Sequence, residues 1–174
     1  MKPPPKPEVW QRGPVDGVPG LLQPVAHALL QAVEDVEAAM EDFSHHLLFE
    51  KPAGVASVGF HLKHLTGVID RLFTYARGEM LNEEQMNYLK AETEAHADDK
   101  VPVLLTLFKE QVRIAIDEMK GSDVTTLTDQ RFVGRKQIPS TVIGLWFHAA
   151  EHAQRHVGQL IVTARVLKGA AHRP

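Results

Sequence analysis

The chain has 174 residues, 44% of them hydrophobic and 24% charged, with a formal net charge of −3. This balance describes one soluble globular domain with tails, large enough to bury a core, and excludes a general affinity for nucleic acid or an anionic membrane surface. There are no cysteines but 10 histidines, so disulfides, thiolate ligands and a cysteine nucleophile are excluded and imidazole is the metal-ligating group in excess.

Residues 1–18 are dense in proline, with Gly13, Gly17 and Gly20 close by. They read as an extended or irregular arm that packs over the domain or contacts a partner, or else as a disordered tail. The opening Met1-Lys2-Pro3-Pro4-Pro5-Lys6-Pro7 is too proline-rich for the apolar core of a signal peptide. No run of 18 apolar residues occurs, so no membrane span is expected and a cytoplasmic location is the default.

A first helix is predicted from Leu21 to about Phe43, where Leu22, Val25, Ala26, Leu29, Leu30, Val33, Val36 and Met40 recur at threes and fours. Pro24 fits its first turn. His27 reads as a solvated or core-edge residue, and His45 and His46 as loop residues. After the breaker Lys51-Pro52-Ala53-Gly54, Ser57 caps a second helix, Val58 to about Arg77, which Gly78 ends. His61 and His64 interrupt its apolar face of Val58, Leu62, Leu65, Val68, Ile69, Leu72 and Phe73. Residues 78–99 are polar and irregular, with room for a short helix around Glu83 to Lys90 and with His96 as a surface residue.

A third long helix is predicted from Val101 to Met119, with a broad stripe of Val103, Leu104, Leu107, Phe108, Val112, Ile114 and Ile116 and a stop at Gly121. No helical period holds over 122–138, which read as a long loop or strand-like excursion, of the kind that can serve as a lid. Pro139-Ser140 is expected to open the last helix, with Ser140 as cap, and the helix runs to about Lys168. Four long amphipathic helices, no strand period and one long connection before the last helix predict an all-α four-helix bundle.

The last helix carries His148, His152 and His156. Residues four apart are displaced by ~40° around a helix, so an adjacent pair can grip one ion while all three are spread over ~80°. Leaving such nitrogens buried without partners costs ~1–3 kcal/mol each, which a metal ion removes for several at once. Spacing does not separate His148/His152 from His152/His156, and His152 belongs to either pair. The second helix supplies the third ligand. His61 lies nearer the centre of its apolar face than His64, so the pattern alone leans slightly to His61.

The stretch Ser57-Val58-Gly59-Phe60-His61-Leu62-Lys63-His64-Leu65, followed downstream by His152-Ala-Gln-Arg-His156-Val-Gly158-Gln159-Leu160, resembles the DinB-like superfamily. Its members have a histidine followed by leucine in the second helix, seven positions after a Ser or Thr at the helix start, and an H-x-x-x-H-x-G-Q-like motif in the last helix. The resemblance covers roughly residues 20 to 168 and implies a bundle domain over 19–170 after the arm of residues 1–18. Position by position, it implies metal ligands at His64, His152 and His156, and leaves His61 and His148 to line the site. It also implies open coordination positions, often in a homodimer.

Two functions follow as expectations. One is a metal-dependent enzyme, a hydrolase or a transferase of a small thiol, whose divalent ion activates water or thiol. The other is a non-catalytic stress-response protein in which the ion is structural. Three imidazoles suit zinc, nickel and iron alike. Glu151 and His148 are candidate bases, although Glu151 sits ~100° around the helix from His152 and a solvated or interface carboxylate is its plainer role. Arg135 and Lys136 in the long connection either meet an anionic substrate or are simply solvated. With a negative net charge and no basic helical stripe carrying exposed aromatics, nucleic-acid binding is not expected.

Overall fold

The computed structural model describes residues 6–171. The stretch Met1–Pro5, which opens the expected arm, lies outside them. Local chemistry marks several of the helix ends. The first helix, α1 (Gln23–Met40), has proline in its first turn and buries Val25, Ala26, Leu29, Ala32, Val36 and Met40, a stripe at threes and fours. In the second, α2 (Val58–Ala76), Ser57 Oγ accepts a hydrogen bond from the Phe60 amide at 3.2 Å. Gly78, at φ +80°, lets the chain leave α2 in the left-handed region. A short third helix, α3 (Glu83–Ala91), is held at its start by reciprocal bonds between Asn82 and Gln85. Then come α4 (Val101–Lys120) and α5 (Val142–Ala171).

The protein is thus mainly helical, with one two-stranded antiparallel sheet among the described residues, formed by β1 (Gln130–Val133) and β2 (Ile138–Thr141). The strand-like alternative for the long connection is the one adopted. The expected opening of the last helix shifts accordingly. Pro139 and Ser140 lie in β2, opposite Phe132 and Arg131. A two-stranded ribbon is all edge, so a proline costs it little. The helix starts at Val142 instead, and Thr141 Oγ1, not Ser140, accepts from the Gly144 amide at 3.1 Å.

The hairpin docks at the far end of α2, where Arg131 Nε donates to the Ala76 carbonyl at 2.7 Å. Ala76 lies twelve residues beyond His64, roughly 18 Å along the helix. The hairpin therefore does not cover the histidines, and Arg135 and Lys136 sit exposed at its turn.

The core lies among α1, α2, α4 and α5: α2 packs on α5 and α4, and α1 packs on the same two helices. Contacts along α2 and α5 run in opposite order, His61 with His156, His64 with His152, and Phe73 stacked on Trp146 at 5.4 Å. These two helices are therefore antiparallel. On α4 the broad stripe narrows to Leu104, Phe108, Val112, Ala115, Ile116 and Met119, while Val103, Leu107 and Ile114 stay exposed.

The described part of the N-terminal arm packs on α1. Val9 and Val18 are buried, Arg12 pairs with Glu34 at 2.6 Å, and the Gln23 side chain bonds the Val15 and Val18 carbonyls. Among the described residues, no helix is long and apolar enough to cross a membrane.

Candidate metal centre

The antiparallel pairing of α2 and α5 brings their histidines face to face. His64, His152 and His156 each offer a nitrogen, and these three donor atoms lie within 4.8 Å of one another. His64 Nε2 stands 3.0 Å from His152 Nε2, and the His156 ring lies 4.4 Å from that of His64 and 4.6 Å from that of His152, centre to centre. All three are half-buried.

One side of His64 is fixed by a residue from the polar stretch 78–99. Glu92, just past α3 and almost fully buried, places Oε2 2.7 Å from His64 Nδ1, while its Oε1 accepts from Arg71 Nη1 at 2.6 Å. A carboxylate at that distance requires a proton on Nδ1, which leaves Nε2, on the α5 side, as the nitrogen available to ligate. Burial works against the charge on Glu92, but hydrogen bonds from His64 and Arg71 and the charge of Arg71 outweigh it and hold the carboxyl below its ordinary pKa. The close approach of α3 depends on Gly67: a Cβ there would stand 2.5 Å from both Arg71 Nη1 and Glu92 Oε1.

His61 is more deeply buried than His64, at 1% exposure, as its central place on the apolar face of α2 predicts. It is not one of the three converging donors. It faces His156, with the two Nδ1 atoms 3.0 Å apart. Burial, with the neighbouring His64 adding to it, pushes the His61 pKa down to about 4. Burial and the surrounding histidines likewise hold His156 at about 4 and lower His152. These imidazoles are neutral at pH 7, the form that ligates a metal. Phe60 stacks on His64 at 5.2 Å and meets His61 and His156 edge-on.

His148 lies outside this group. Its ring is half-exposed, with Nδ1 2.7 Å from Glu151 Oε1, and Glu151 also holds Arg155 at 2.8 Å. The other described histidines are elsewhere: His27 contacts the Gly13 carbonyl, His45 accepts from the Val101 amide, and His46 and His96 are exposed.

The three nitrogens fit a divalent ion. Donors of a tetrahedral zinc at ~2.0–2.1 Å stand ~3.3 Å apart, so the His64–His152 pair at 3.0 Å needs only a small adjustment. At 3.0 Å the two facing Nε2 atoms share a proton in a hydrogen bond, the place an ion would take. Beside the centre, His61, Arg155, Gly158, Gln159, Val162 and Thr163 line much of a cavity of about 530 Å3.

The sequence agrees with this geometry. The model of the DinB superfamily matches residues 28–160, and the chain belongs to that superfamily. No curated protein matches the chain.

Proposed function

We propose that this member of the DinB superfamily is a four-helix-bundle metalloenzyme, a hydrolase or a transferase of a small thiol, with a divalent ion held by His64, His152 and His156. The observation that carries the reading is the convergence of three imidazole nitrogens while a buried carboxylate locks a proton on the far side of one of them. The mutual packing of α1, α2, α4 and α5 supports the bundle.

An ion bound there supplies Lewis acidity and lowers the pKa of a bound water or thiol. The chain's own groups do the rest. Three protein donors are the number of a catalytic centre with open positions, not of a closed structural one. Glu92 keeps the His64 proton on Nδ1 and the ring in place. For His156 to ligate through Nε2, its Nδ1 must donate to His61 Nδ1, so His61 acts as the buried acceptor that orients this ring. The cavity beside His61 has the size of a small-molecule site. The small thiol is the substrate class to which the superfamily resemblance points. Exposed Phe147, Val162 and Val166 on one side of α5 support a homodimer through that helix.

Metal analysis of the purified protein, followed by cobalt substitution and titration with 2-mercaptoethanol, tests the reading. The expected result is about one tightly bound equivalent per chain and a cobalt spectrum that shifts on adding thiol. A bound ion that no added ligand reaches would favour the structural role instead. Metal content unchanged after His64, His152 and His156 are all replaced would overturn the ligand set.

A further inference from the structure

A second group of donors adjoins the first. His148, Glu151 and His152 also bring one ligand atom each to within 4.8 Å of one another. They stand at i, i+3 and i+4 on α5, the spacing that puts side chains on one helical face. His152 belongs to both groups. Its Nε2 faces His64, and its Nδ1 is buried with no hydrogen-bond partner, a donor that the inner group leaves unused. Its ring lies between those of His148, at 5.3 Å, and His156, at 4.6 Å.

The groups differ in access. The His148 side chain is 49% exposed and that of Glu151 32%, against 16% for His64. On the α2 side, Phe60, buried His61 and buried Glu92 crowd the inner group. The His148 side faces solvent.

We propose that His148, Glu151 and His152 form an outer, weaker site for a divalent cation, from which the ion passes to the inner centre through the shared His152. This rests on the inner reading above. One carboxylate and imidazole nitrogens suit the same borderline metals as the inner group. The outer site is weaker because all its donors come from one helix and because the ion competes with Arg155 for Glu151. An ion held there is already on a ring of the inner group, so transfer exchanges His148, Glu151 and His152 Nδ1 for His64, His156 and His152 Nε2 without a fully hydrated ion having to enter the crowded side.

Cobalt(II) titration and stopped-flow uptake on the full chain test this, using wild type, His148→Ala and Glu151→Gln. Both residues are on the surface of α5, so the fold is not at stake. Wild type is expected to take up one tight and one weak equivalent. Each variant should lose the weak one, keep the tight affinity within ~2-fold, and fill the tight site roughly five-fold or more slowly. His64→Ala should lose the tight equivalent and retain the weak one. Uptake at the wild-type rate in both variants, or a wild type that binds a single, tight equivalent, overturns the outer site and leaves the inner one standing. A wild type whose only equivalent is weak and depends on His148 overturns the inner reading while leaving the outer donors in place.

Discussion

Glu92→Gln tests the centre without touching a ligand. The wild-type carboxylate sits 2.7 Å from His64 Nδ1 and 2.6 Å from Arg71 Nη1 at 2% exposure. Glutamine keeps the shape but offers one acceptor and one donor. If its oxygen stays with Arg71, its NH2 meets the His64 Nδ1 proton, donor against donor. The ring relieves that by moving its proton to Nε2, which removes the lone pair aimed at α5. Losing such an outer partner weakens metal binding by ~10–100-fold, or about 1.4–2.7 kcal/mol. If the oxygen turns to His64, Arg71 is left as a buried charge without its carboxylate, at a cost toward the low end of ~3–5 kcal/mol in stability because an isostere remains. Cobalt titration against a competing chelator reads the first effect, and thermal unfolding of the metal-free protein reads the second. In a His64→Ala background the substitution should leave the remaining metal affinity unchanged. A folded Glu92→Gln protein that binds cobalt as tightly as wild type would refute the role given to His64.

Gly67→Ala should displace the Arg71 and Glu92 side chains, which a Cβ would meet at 2.5 Å. It should weaken cobalt binding by ~10-fold, in the same titration, although alanine is by itself the better helix former by about 1 kcal/mol. Acid should destabilise the metal-free protein. His61 and His156 hold pKa values of about 4 when folded against an ordinary ~6.5 in the unfolded chain, so between those limits the unfolded chain takes up protons that the folded one refuses. Stability is therefore full above about pH 6.5 and falls toward pH 4, with buried His61 alone accounting for a loss on the order of 2 kcal/mol between pH 7 and 5. Denaturant unfolding across that range checks it, and a flat profile would contradict the neutral cluster. Val9→Asp should release the arm, since it puts a charge where α1 buries a valine; faster proteolysis within residues 6–18, with the helical core protected, is the expected readout.

The helices were legible because their signals are local. Ser57 before the apolar run, Pro24 in a first turn and the stripes on α1 and α2 act within a few residues and recur in the structure. The start of α5 was misplaced for the same reason. Pro139-Ser140 has the form of a helix opening, and only the pairing of Ile138–Thr141 with Gln130–Val133, a contact between separate segments, puts it in a strand. The packing of the arm through Val9, Arg12 and Glu34 is likewise a tertiary matter that composition does not carry.

At the centre, the gap between pattern and geometry has a physical cause. The apolar period of α2 leans to His61 because it finds the residue pointing deepest into the core. A metal ligand needs something else, a donor directed between two helices with room left on the ion. That belongs to His64, at the edge of the buried face, where a small rotation toward α5 meets both His152 and His156. His61 points past them and reaches only the back of His156. Glu92 escaped notice because nothing around it repeats: it is one acid in a polar stretch, and only the close approach allowed by Gly67 buries it against His64 and Arg71. A carboxylate with two cationic or proton-donating partners and almost no exposure is expensive to bury unless its geometry is used. In the proposed centre its use is to set which nitrogen of His64 faces α5, with the edge histidine as a ligand and the deeper His61 as the support of His156.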